Sequence, residues 1–284
     1  MKGIVLAGGS GTRLHPLTTA QSKQLLPIYD KPMIYHPLTT LISLGINEIL
    51  IISNPHNINN FKLLLGDGAQ FGINLSYEIQ SKPNGIAEAL IIGEPFLEED
   101  NCALILGDNI FISDKLNVSQ IENFKVGARI FAISVNDPER YGVLKISKND
   151  VIDIVEKPKE FLSNSAVTGL YFYDSKASSI CKSLSPSDRD ELEITDLNKA
   201  YLENKSLSVI HLEDNDIWMD AGTFGSLLDA GNYISALQKR SGRLYGSPEL
   251  ASYNQGFISK EKLQNTIEKS PQNSYYKLLE KNIC

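Results

Sequence analysis

The chain has 284 residues, enough for one large domain or two smaller ones. Asp and Glu (34) outnumber Lys and Arg (27), and the net charge of −7 argues against nucleic-acid binding, which needs a basic face. A hydrophobic share of 42% and a charged share of 21% are typical of a folded protein with a sizeable core. A small phosphorylated substrate is still compatible with this charge, because a few local Lys and Arg side chains are enough to bind it.

No targeting segment is expected, because the apolar residues before Gly8 are too few for a signal peptide or a membrane span. The three cysteines, Cys102, Cys181 and Cys284, lie far apart without a Cys-x-x-Cys pair. We therefore predict neither a disulfide framework nor a zinc site. The expectation is a cytoplasmic protein with free thiols and no membrane association.

In the first part of the chain, short apolar runs alternate with amphipathic stretches. We predict strands at 3–6, 48–53, 73–80 and 102–106, and helices at 32–44, 57–65 and 85–92. The near-continuous apolar run at 48–53 is typical of a parallel strand that is covered on both faces. The repeated strand–helix–strand order predicts an α/β sheet with right-handed crossovers.

The second part is less regular. We predict strands at 128–135, 143–146, 151–155, 167–173 and 207–212, which either extend the sheet or form a β-rich lobe beside it. Helices are predicted at 194–204, 224–239, 260–269 and 273–280. The simplest arrangement is one α/β domain followed by a short helical region.

The strongest local signal is the glycine-rich segment 6–14, Leu-Ala-Gly-Gly-Ser-Gly-Thr-Arg-Leu, which follows a predicted strand. Glycines let backbone N–H groups approach an anion closely. The dinucleotide-binding pattern fails because Leu14 replaces its last glycine, and the P-loop pattern fails because no Gly-Lys-Ser/Thr follows. The glycine loop with Arg13 and Lys23 suits a triphosphate, or else it is a tight turn with solvated basic side chains.

A series of ordered blocks gives the chain a resemblance to a known family. Besides 6–14, the blocks are 16–18, 22–27, 31–34, 64–68, 106–109, 136–143, 156–158, 166–173 and 191–196. Together they resemble the signature of sugar-1-phosphate nucleotidyltransferases. More narrowly, they are similar to glucose-1-phosphate thymidylyltransferases, which open the dTDP-rhamnose pathway. The resemblance extends to about residue 235.

The resemblance implies a fold and a reaction. The implied fold is α/β and Rossmann-like, with a mixed, mostly parallel central sheet flanked by helices over 1–235. A small C-terminal helical region, 236–284, would serve as an oligomer or regulatory interface. The implied enzyme transfers a thymidylyl group from dTTP to glucose 1-phosphate with Mg²⁺, giving dTDP-glucose and pyrophosphate. UTP or another sugar 1-phosphate is the alternative, and a non-catalytic sugar-nucleotide sensor is a more distant one.

Two aspartates are candidates for the metal. Asp108 follows an apolar run and Gly107, and Asp220 follows an apolar run and precedes Ala221-Gly222. Ligands of open α/β sheets bind beyond the carboxyl ends of strands, where two carboxylates can share a Mg²⁺, although each Asp could instead cap a turn. Both match the metal-binding aspartates of the family, so the resemblance implies a Mg²⁺ site here.

The resemblance also implies three sets of site residues. The implied catalytic residues are Arg13, Lys23, Asp108 and Lys157. The implied nucleotide-binding residues are Leu6, Gly8, Gly9, Gly11, Thr12, Arg13, Gln24, Gln80, Pro83 and Gly85. The implied sugar-phosphate-binding residues are Asn109, Tyr141, Gly142, Glu156, Lys157, Val167, Tyr171 and Arg189. This chain departs from the family at Asn84, Glu88 and Asp190, where Asp, Gln and Gly are usual.

The four histidines are scattered and form no evident triad with a Ser or Cys. The implied reaction needs no general base, because the attacking phosphate, with a second pKa of about 6, is mostly ionised at neutral pH. Catalysis should therefore come from positioning, Mg²⁺ and cations around the phosphorus.

Members of the family are similar in being homotetramers with a regulatory nucleotide site between subunits. This chain departs from the family pattern there. Ile112 and Asp114 stand where Tyr and His are typical, and Asn254 stands where an Arg is usual. We therefore predict weakened or altered feedback inhibition by the end-product sugar nucleotide.

Overall fold

The fold is built around strand β1 (Lys2–Ala7) and is given by a computed structural model that describes residues 1–9 and 11–283. The glycine-loop residue Ser10 and the third cysteine, Cys284, lie outside the described residues. The other strands are β2 (Pro27–Ile28), β3 (Lys31–Pro32), β4 (Glu48–Ser53), β5 (Asn74–Ile79), β6 (Cys102–Leu106), β7 (Asn109–Ile112), β8 (Ala128–Ser134), β9 (Gly142–Ser147), β10 (Asp150–Glu156), β11 (Ser165–Tyr173), β12 (Leu207–His211) and β13 (Ile217–Asp220). The helices are α1 (Tyr35–Ser43), α2 (Ile58–Leu65), α3 (Glu88–Ile92), α4 (Glu94–Leu97), α5 (Val118–Glu122), α6 (Ala177–Ser183), α7 (Ile194–Glu203), α8 (Phe224–Ser241), α9 (Pro248–Asn254), α10 (Lys260–Lys269) and α11 (Ser274–Asn282).

One mixed sheet runs through the molecule in the order β10-β9-β11-β6-β1-β4-β5, with β8 paired to β11 and β12 paired to β8. Strands β6-β1-β4-β5 are parallel, β11 joins them by running antiparallel to β6, and β12 pairs in parallel with β8. The predicted α/β class and mixed sheet are therefore confirmed. Of the two predictions for the strands of the second part, extension of the sheet is confirmed.

Side chains alternate between the two faces of the sheet, as the pleat of a strand requires. In β1, Ile4 and Leu6 pack with residues of α3, α6 and α7, whereas Val5 and Ala7 pack with residues of α1 and α2. Burial on both faces explains why β1 and β4 read as continuous apolar runs. Burial on both faces also holds the carboxyl ends of these strands in place. The candidate site lies at the carboxyl end of β1.

The predicted helix at 32–44 is wrong at its start. Lys31 and Pro32 form β3, which pairs with β2 as a short hairpin, and α1 begins only at Tyr35. Proline favours the first helical turn, but its fixed φ equally suits the edge of a short strand. The predicted helix at 85–92 likewise starts later, at Glu88, because Gly85 has φ +106 and cannot be helical.

The C-terminal region forms a small core of its own. Helices α10 and α11 lie close to the predicted positions, but α9 was not predicted, although Ser247 caps it and Pro248 begins it. Helix α8 runs continuously across position 235, so the domain boundary given above stays a prediction. In the described ranges, no helix is both long enough and apolar enough to cross a membrane. Cys102 and Cys181 are buried free thiols, as expected.

Candidate active site

The carboxyl ends of β1 and β6 open into a cleft with a volume of about 550 Å³. This is the edge where open α/β sheets bind their ligands. Most of the predicted site residues line it: Leu6, Gly9, Arg13, Lys23, Gln24, Asp108, Asn109, Tyr141, Gly142, Glu156, Lys157, Val167, Tyr171, Arg189 and Asp220. Nucleotide-side and sugar-side predictions thus meet in one place.

Charge in the cleft is opposite in sign to that of the whole chain. The cationic lining side chains are Arg13, Lys23, Arg140, Lys157 and Arg189, and the lining carboxylates are Asp108, Glu156 and Asp220. The cleft therefore carries an excess of positive charge on a protein with a net charge of −7. Such local focusing attracts an anionic ligand.

Asp108 stands between β6 and β7, where the chain leaves the main sheet. Its carboxylate pairs with the Lys23 ammonium and accepts a hydrogen bond from Asn109 Nδ2 at 3.2 Å. Burial by itself raises the pKa of the carboxyl, but the Lys23 charge and these hydrogen bonds outweigh it, and the pKa lies below its usual value. Asp108 is therefore an anion at neutral pH.

Asp220 is the last residue of β13, whose antiparallel pairing with β7 sets it opposite Asn109. Burial, together with the charge of Asp108, raises its pKa to about 6. Arg140 Nη2 lies 3.7 Å from Asp220 Oδ2, and a Cβ on Gly222 would be 3.0 Å from Asp220 Oδ1 and 3.3 Å from Arg13 Nη2. Two carboxylates and two guanidinium groups thus surround one region of the cleft.

These residues fit a hard divalent cation. The pKa of Asp220 is raised first by burial and then by the charge of Asp108, and a bound cation would offset both effects. Within the described residues no group of three or more His, Cys, Asp or Glu side chains could hold a metal alone. A site with two carboxylates leaves the remaining positions for phosphate oxygens and water, which is the usual way Mg²⁺ binds with nucleotides.

Asn109 is buried on the side of the cleft where the predicted sugar-phosphate-binding residues lie. Its Oδ1 accepts two hydrogen bonds. The oxygen accepts hydrogen bonds from Trp218 Nε1 at 2.5 Å and from the Gly169 backbone N–H at 3.0 Å. A Cβ on Gly169 would lie 2.5 Å from that oxygen, so only glycine fits. The Trp218 ring also packs edge-on against Tyr141, with 4.9 Å between centroids. This side of the cleft is rigid.

Glu156 ends β10 at the same side, and Lys157 follows it directly. Thr195 Oγ1 donates to Glu156 Oε2 at 2.8 Å, and Lys157 Nζ lies 3.3 Å from Glu156 Oε1. Lys157 has φ +45, a conformation that non-glycine residues adopt rarely and that concentrates at functional sites. The bend turns the lysine from the end of the strand into the cleft lining.

Arg189 reaches the cleft from the loop before α7. Its Nη2 lies 2.8 Å from Glu193 Oε1 and 3.8 Å from Glu156 Oε1. The next residue, Asp190, has φ +57, which explains physically why glycine suits that position. Aspartate tolerates this region better than most residues, so the loop keeps its conformation.

Some predicted nucleotide-side residues lie outside the lining of the cleft: Gly8, Gly11, Thr12, Gln80, Pro83 and Gly85. Gln80 is nevertheless adjacent to the glycine loop, because a Cβ on Gly8 would lie 2.5 Å from Gln80 Oε1. The role of these residues stays a prediction.

Several lining residues were missed by the sequence reasoning: Ile86, Leu106, Arg140, Thr168, Gly169, Ile194, Thr195, Asn198 and Trp218. Arg140 matters most, since its Nη2 is buried, has no hydrogen-bond partner in the described residues and lies near Asp220. Arg140 belongs to the block 136–143 of the family resemblance, and that block could have indicated it from the sequence. Trp218, the sole tryptophan and two residues before Asp220, was a second one.

The sequence pattern of the nucleotidyl transferase family matches residues 2–236. The chain belongs to this family. A nucleotidyl transferase named glucose-1-phosphate thymidylyltransferase, from Xanthomonas campestris pv. campestris, is 49% identical over 281 residues, covering 98% of this chain and 95% of that protein. One from Mycolicibacterium smegmatis is 46% identical and covers 97% of this chain and 96% of that protein.

Solved structures of nucleotidyl transferases agree with the fold. A candidate glucose-1-phosphate thymidylyltransferase from Bacillus anthracis, solved with sucrose, has a TM-score of 0.77 at 45% identity. The alignment covers 82% of this chain and 94% of that one. A UDP-glucose pyrophosphorylase bound to UDP-glucose has a TM-score of 0.72 at 24% identity, over 84% of this chain and 98% of that one, and shares the fold. Within its family, this nucleotidyl transferase therefore groups with the glucose-1-phosphate thymidylyltransferases.

Proposed function

We propose that the chain transfers a thymidylyl group from dTTP to glucose 1-phosphate, forming dTDP-glucose and releasing pyrophosphate. One observation carries the proposal: the nucleotide-side cations, the paired aspartates and the sugar-side groups all line a single cleft. Glucose 1-phosphate and the thymidylyl group are those that the names of the similar enzymes from Xanthomonas and Mycolicibacterium give.

The reaction is a displacement at phosphorus. An oxygen of the sugar phosphate forms a bond to the α-phosphorus, and the bond from that phosphorus to the bridging oxygen of pyrophosphate breaks. The nucleophile is already ionised at neutral pH, and no histidine lines the cleft in the described residues. Orientation and charge stabilisation are therefore the tasks of the protein.

Arg13 and Lys23 stabilise the triphosphate in this proposal. Arg13 is exposed and, in the described part of the chain, makes no ion pair, so its guanidinium is available to a phosphate. Asp108 and Asp220 would hold Mg²⁺, which when bound supplies neutralisation of phosphate charge. Arg140, whose Nη2 lies 3.7 Å from Asp220 Oδ2, keeps that carboxylate oriented.

The sugar phosphate occupies the other half of the cleft. Glu156 has its Oε2 fixed by Thr195 and offers acceptor oxygens to sugar hydroxyls. Lys157 and Arg189 supply positive charge for the phosphate of the sugar. Tyr141, packed on Trp218, provides a rigid wall beside them.

The test is pyrophosphate release with Mg²⁺ across a grid of dTTP, UTP, CTP, ATP and GTP against several sugar 1-phosphates. A dominant signal for dTTP with glucose 1-phosphate is the expected result. A dominant signal elsewhere in the grid would replace the proposed substrates. No signal from folded protein would overturn the enzymatic proposal in favour of a sugar-nucleotide sensor.

We propose further that the enzyme is a cytoplasmic homotetramer. Exposed apolar side chains on α8, Phe224 at 51% and Leu228 at 64%, support self-association, because such residues favour contact with another protein surface. Light scattering after size-exclusion chromatography should give four times the chain mass. A monomer at micromolar concentration would contradict the proposal. The predicted change in feedback inhibition is tested by adding dTDP-rhamnose, where noncompetitive inhibition at micromolar concentration would contradict it.

A further inference from the structure

Gln80 follows β5 directly and is almost completely buried, with 4% of its surface exposed. Its Nε2 donates to Glu88 Oε2 at 2.8 Å and to the Gly85 carbonyl oxygen at 3.1 Å. An ionised carboxylate and a backbone carbonyl only accept hydrogen bonds. The amide nitrogen of Gln80 must therefore face Glu88 and Gly85, and the orientation of the amide follows from chemistry rather than from atom assignment.

The carbonyl oxygen of Gln80 consequently faces the other way, toward the glycine loop. A Cβ on Gly8 would lie 2.5 Å from Gln80 Oε1, so the loop passes this oxygen without a side chain between them. Ile86, in the same segment as Gly85, lines the cleft. Gln80 Oε1 thus lies against Gly8 of the glycine loop, next to the nucleotide half of the site, although Gln80 itself does not line the cleft.

Glu88 is itself held in place. Its second oxygen, Oε1, accepts from Asn84 Nδ2 at 2.8 Å. The segment that carries both residues is bound to Leu192, whose N–H donates to the Asn84 carbonyl at 2.6 Å and whose carbonyl accepts from the Ala87 N–H at 3.2 Å. A Cβ on Gly85 would lie 2.3 Å from the Leu192 oxygen, so this close contact requires glycine. Each carboxylate oxygen of Glu88 therefore accepts a hydrogen bond, Oε2 from Gln80 and Oε1 from Asn84.

We propose that Glu88 is a positioning residue that fixes Gln80 as an acceptor toward the base, and so selects a base with an N–H at that edge. The inference rests on the proposed function, since it requires a nucleoside triphosphate in this cleft. Thymine and uracil carry an N–H at position 3, whereas cytosine carries a lone pair there. An acceptor that cannot rotate pairs with the first two and repels the third.

The amide at position 84 and the carboxylate at position 88 can be exchanged by N84D/E88Q without changing the net charge. In E88Q, the new amide can turn its NH₂ toward Gln80, which lets Gln80 rotate and offer its own NH₂ to cytosine. In the N84D/E88Q double variant, the carboxylate at position 84 accepts a hydrogen bond from the side-chain NH₂ at position 88. The side-chain oxygen at position 88 then faces Gln80 again. The double variant should therefore restore what E88Q loses.

The experiment measures binding of dTTP, dUTP and dCTP by calorimetry in EDTA without sugar phosphate, and kcat/KM for the same nucleotides with Mg²⁺ and glucose 1-phosphate. The preference for dTTP over dCTP should fall at least about 10-fold in E88Q and recover in N84D/E88Q. The ratio of dTTP to dUTP should stay constant, since both bases carry the N–H. E94Q, which removes a carboxylate that binds Ser178 and Lys182 outside the cleft, is the matched control.

The outcomes separate the inference from the proposed function. If wild-type protein binds no nucleoside triphosphate and releases no pyrophosphate, the proposed function fails. If wild-type protein prefers dTTP and E88Q keeps the same preference while losing affinity for all three nucleotides equally, Glu88 only stiffens the loop and the inference is wrong. Failure of N84D/E88Q to recover the preference, in protein as stable as wild type, would also overturn it.

Discussion

A comparison of two clusters of buried or half-buried charge among the described residues shows that they differ in how completely their charges are paired. One lies between the β2–β3 hairpin and the C-terminal helices, and we call it the hairpin junction: Asp30, Lys31, Gln238, Glu249 and Tyr275. Lys31 pairs with Asp30 and donates to Gln238 Oε1 at 3.1 Å, and Gln238 Nε2 donates to Asp30 Oδ2 at 2.9 Å. Tyr275 donates to Glu249 Oε2 at 2.6 Å. The junction is a closed network.

The active-site cleft is arranged in the opposite way. Asp220 has a carboxyl pKa raised to about 6 by burial and by the charge of Asp108. Arg140 Nη1 binds Asp137 Oδ2 at 2.6 Å, but its Nη2 is buried without a hydrogen bond in the described residues, and Arg13 makes no ion pair there. A fully satisfied polar network stabilises a fold, whereas an incompletely satisfied one around a cavity is available to a ligand. The comparison shows how the two roles can be told apart within one chain.

The largest expected effect is on turnover in D220N. The substitution keeps the shape of the side chain but removes a charge that we place on the metal. We expect kcat to fall about 10²- to 10³-fold at saturating Mg²⁺, while the circular dichroism spectrum is unchanged. D216N, which changes a buried aspartate that does not line the cleft, is the control. Unchanged turnover in D220N would remove Asp220 from the proposed metal site.

At the hairpin junction we expect K31M to lower stability but to leave turnover unchanged. Removing the ammonium leaves the Asp30 carboxylate in a largely buried site without its partner, which should lower the free energy of unfolding by about 3–5 kcal/mol. Turnover per folded molecule should stay the same. K115M breaks the exposed pair with Glu213 and should cost less than about 1 kcal/mol. Equal costs in urea unfolding would contradict the distinction between the clusters.

R13A should reduce kcat by about 10- to 100-fold, because hydrogen bonds from a cation to charged phosphate groups are worth about 1.5–3 kcal/mol. R240A, on the exposed face of α8, should leave the kinetics unchanged. Initial rates over a range of dTTP concentrations separate two roles. A raised KM with intact kcat would mean that Arg13 binds substrate and transition state equally, against our assignment.

The smallest effect concerns acid stability near the junction, at His36. Burial, followed by the charge of Lys31, lowers the imidazole pKa to about 3, and Nε2 has no hydrogen-bond partner in the described residues. The unfolded chain binds a proton near pH 6.5 that the folded chain does not, so stability is lost as the pH falls below about 6.5, by about 1.4 kcal/mol per pH unit.

The comparison of wild type with H36N isolates this contribution. Urea unfolding between pH 7 and 5 should show a shallower loss of stability in H36N, and H56N, which changes an exposed histidine, should behave like wild type. Identical pH dependence in wild type and H36N would mean that His36 is protonated in the folded state.

The predictable part of the fold is the part with strong local patterns. The apolar runs of β1, β4 and β6 predict the central strands, because burial on both faces leaves a clear signal in the sequence. Strands β7 and β13 have only four residues each and pair across more than 100 positions, so no local pattern marks them. The hairpin before α1 was missed because Pro32 satisfied the rule for a helix start.

The predictable part of the site has the same limit. Asp108 could be expected at the edge of the main sheet because it follows β6, but Asp220 joins the same cleft through the pairing of β13 with β7, which no local pattern marks. The approach of Arg140 to Asp220, and of Glu88 to Gln80, depends on side-chain geometry that spacing does not contain. The sequence could therefore indicate which residue types meet, but not which of them remain unpaired.

The most direct test of the account is the thermal unfolding of wild type and D220N at pH 7.5, with and without Mg²⁺ and dTTP. Without ligands, D220N should be at least as stable as wild type, because the substitution removes a charge whose burial, together with the charge of Asp108, raises the pKa of Asp220 to about 6. With both ligands, wild type should gain more and become the more stable protein. A D220N protein that is less stable by the same margin in both conditions would contradict the claim that the cleft holds incompletely satisfied charge for its ligands.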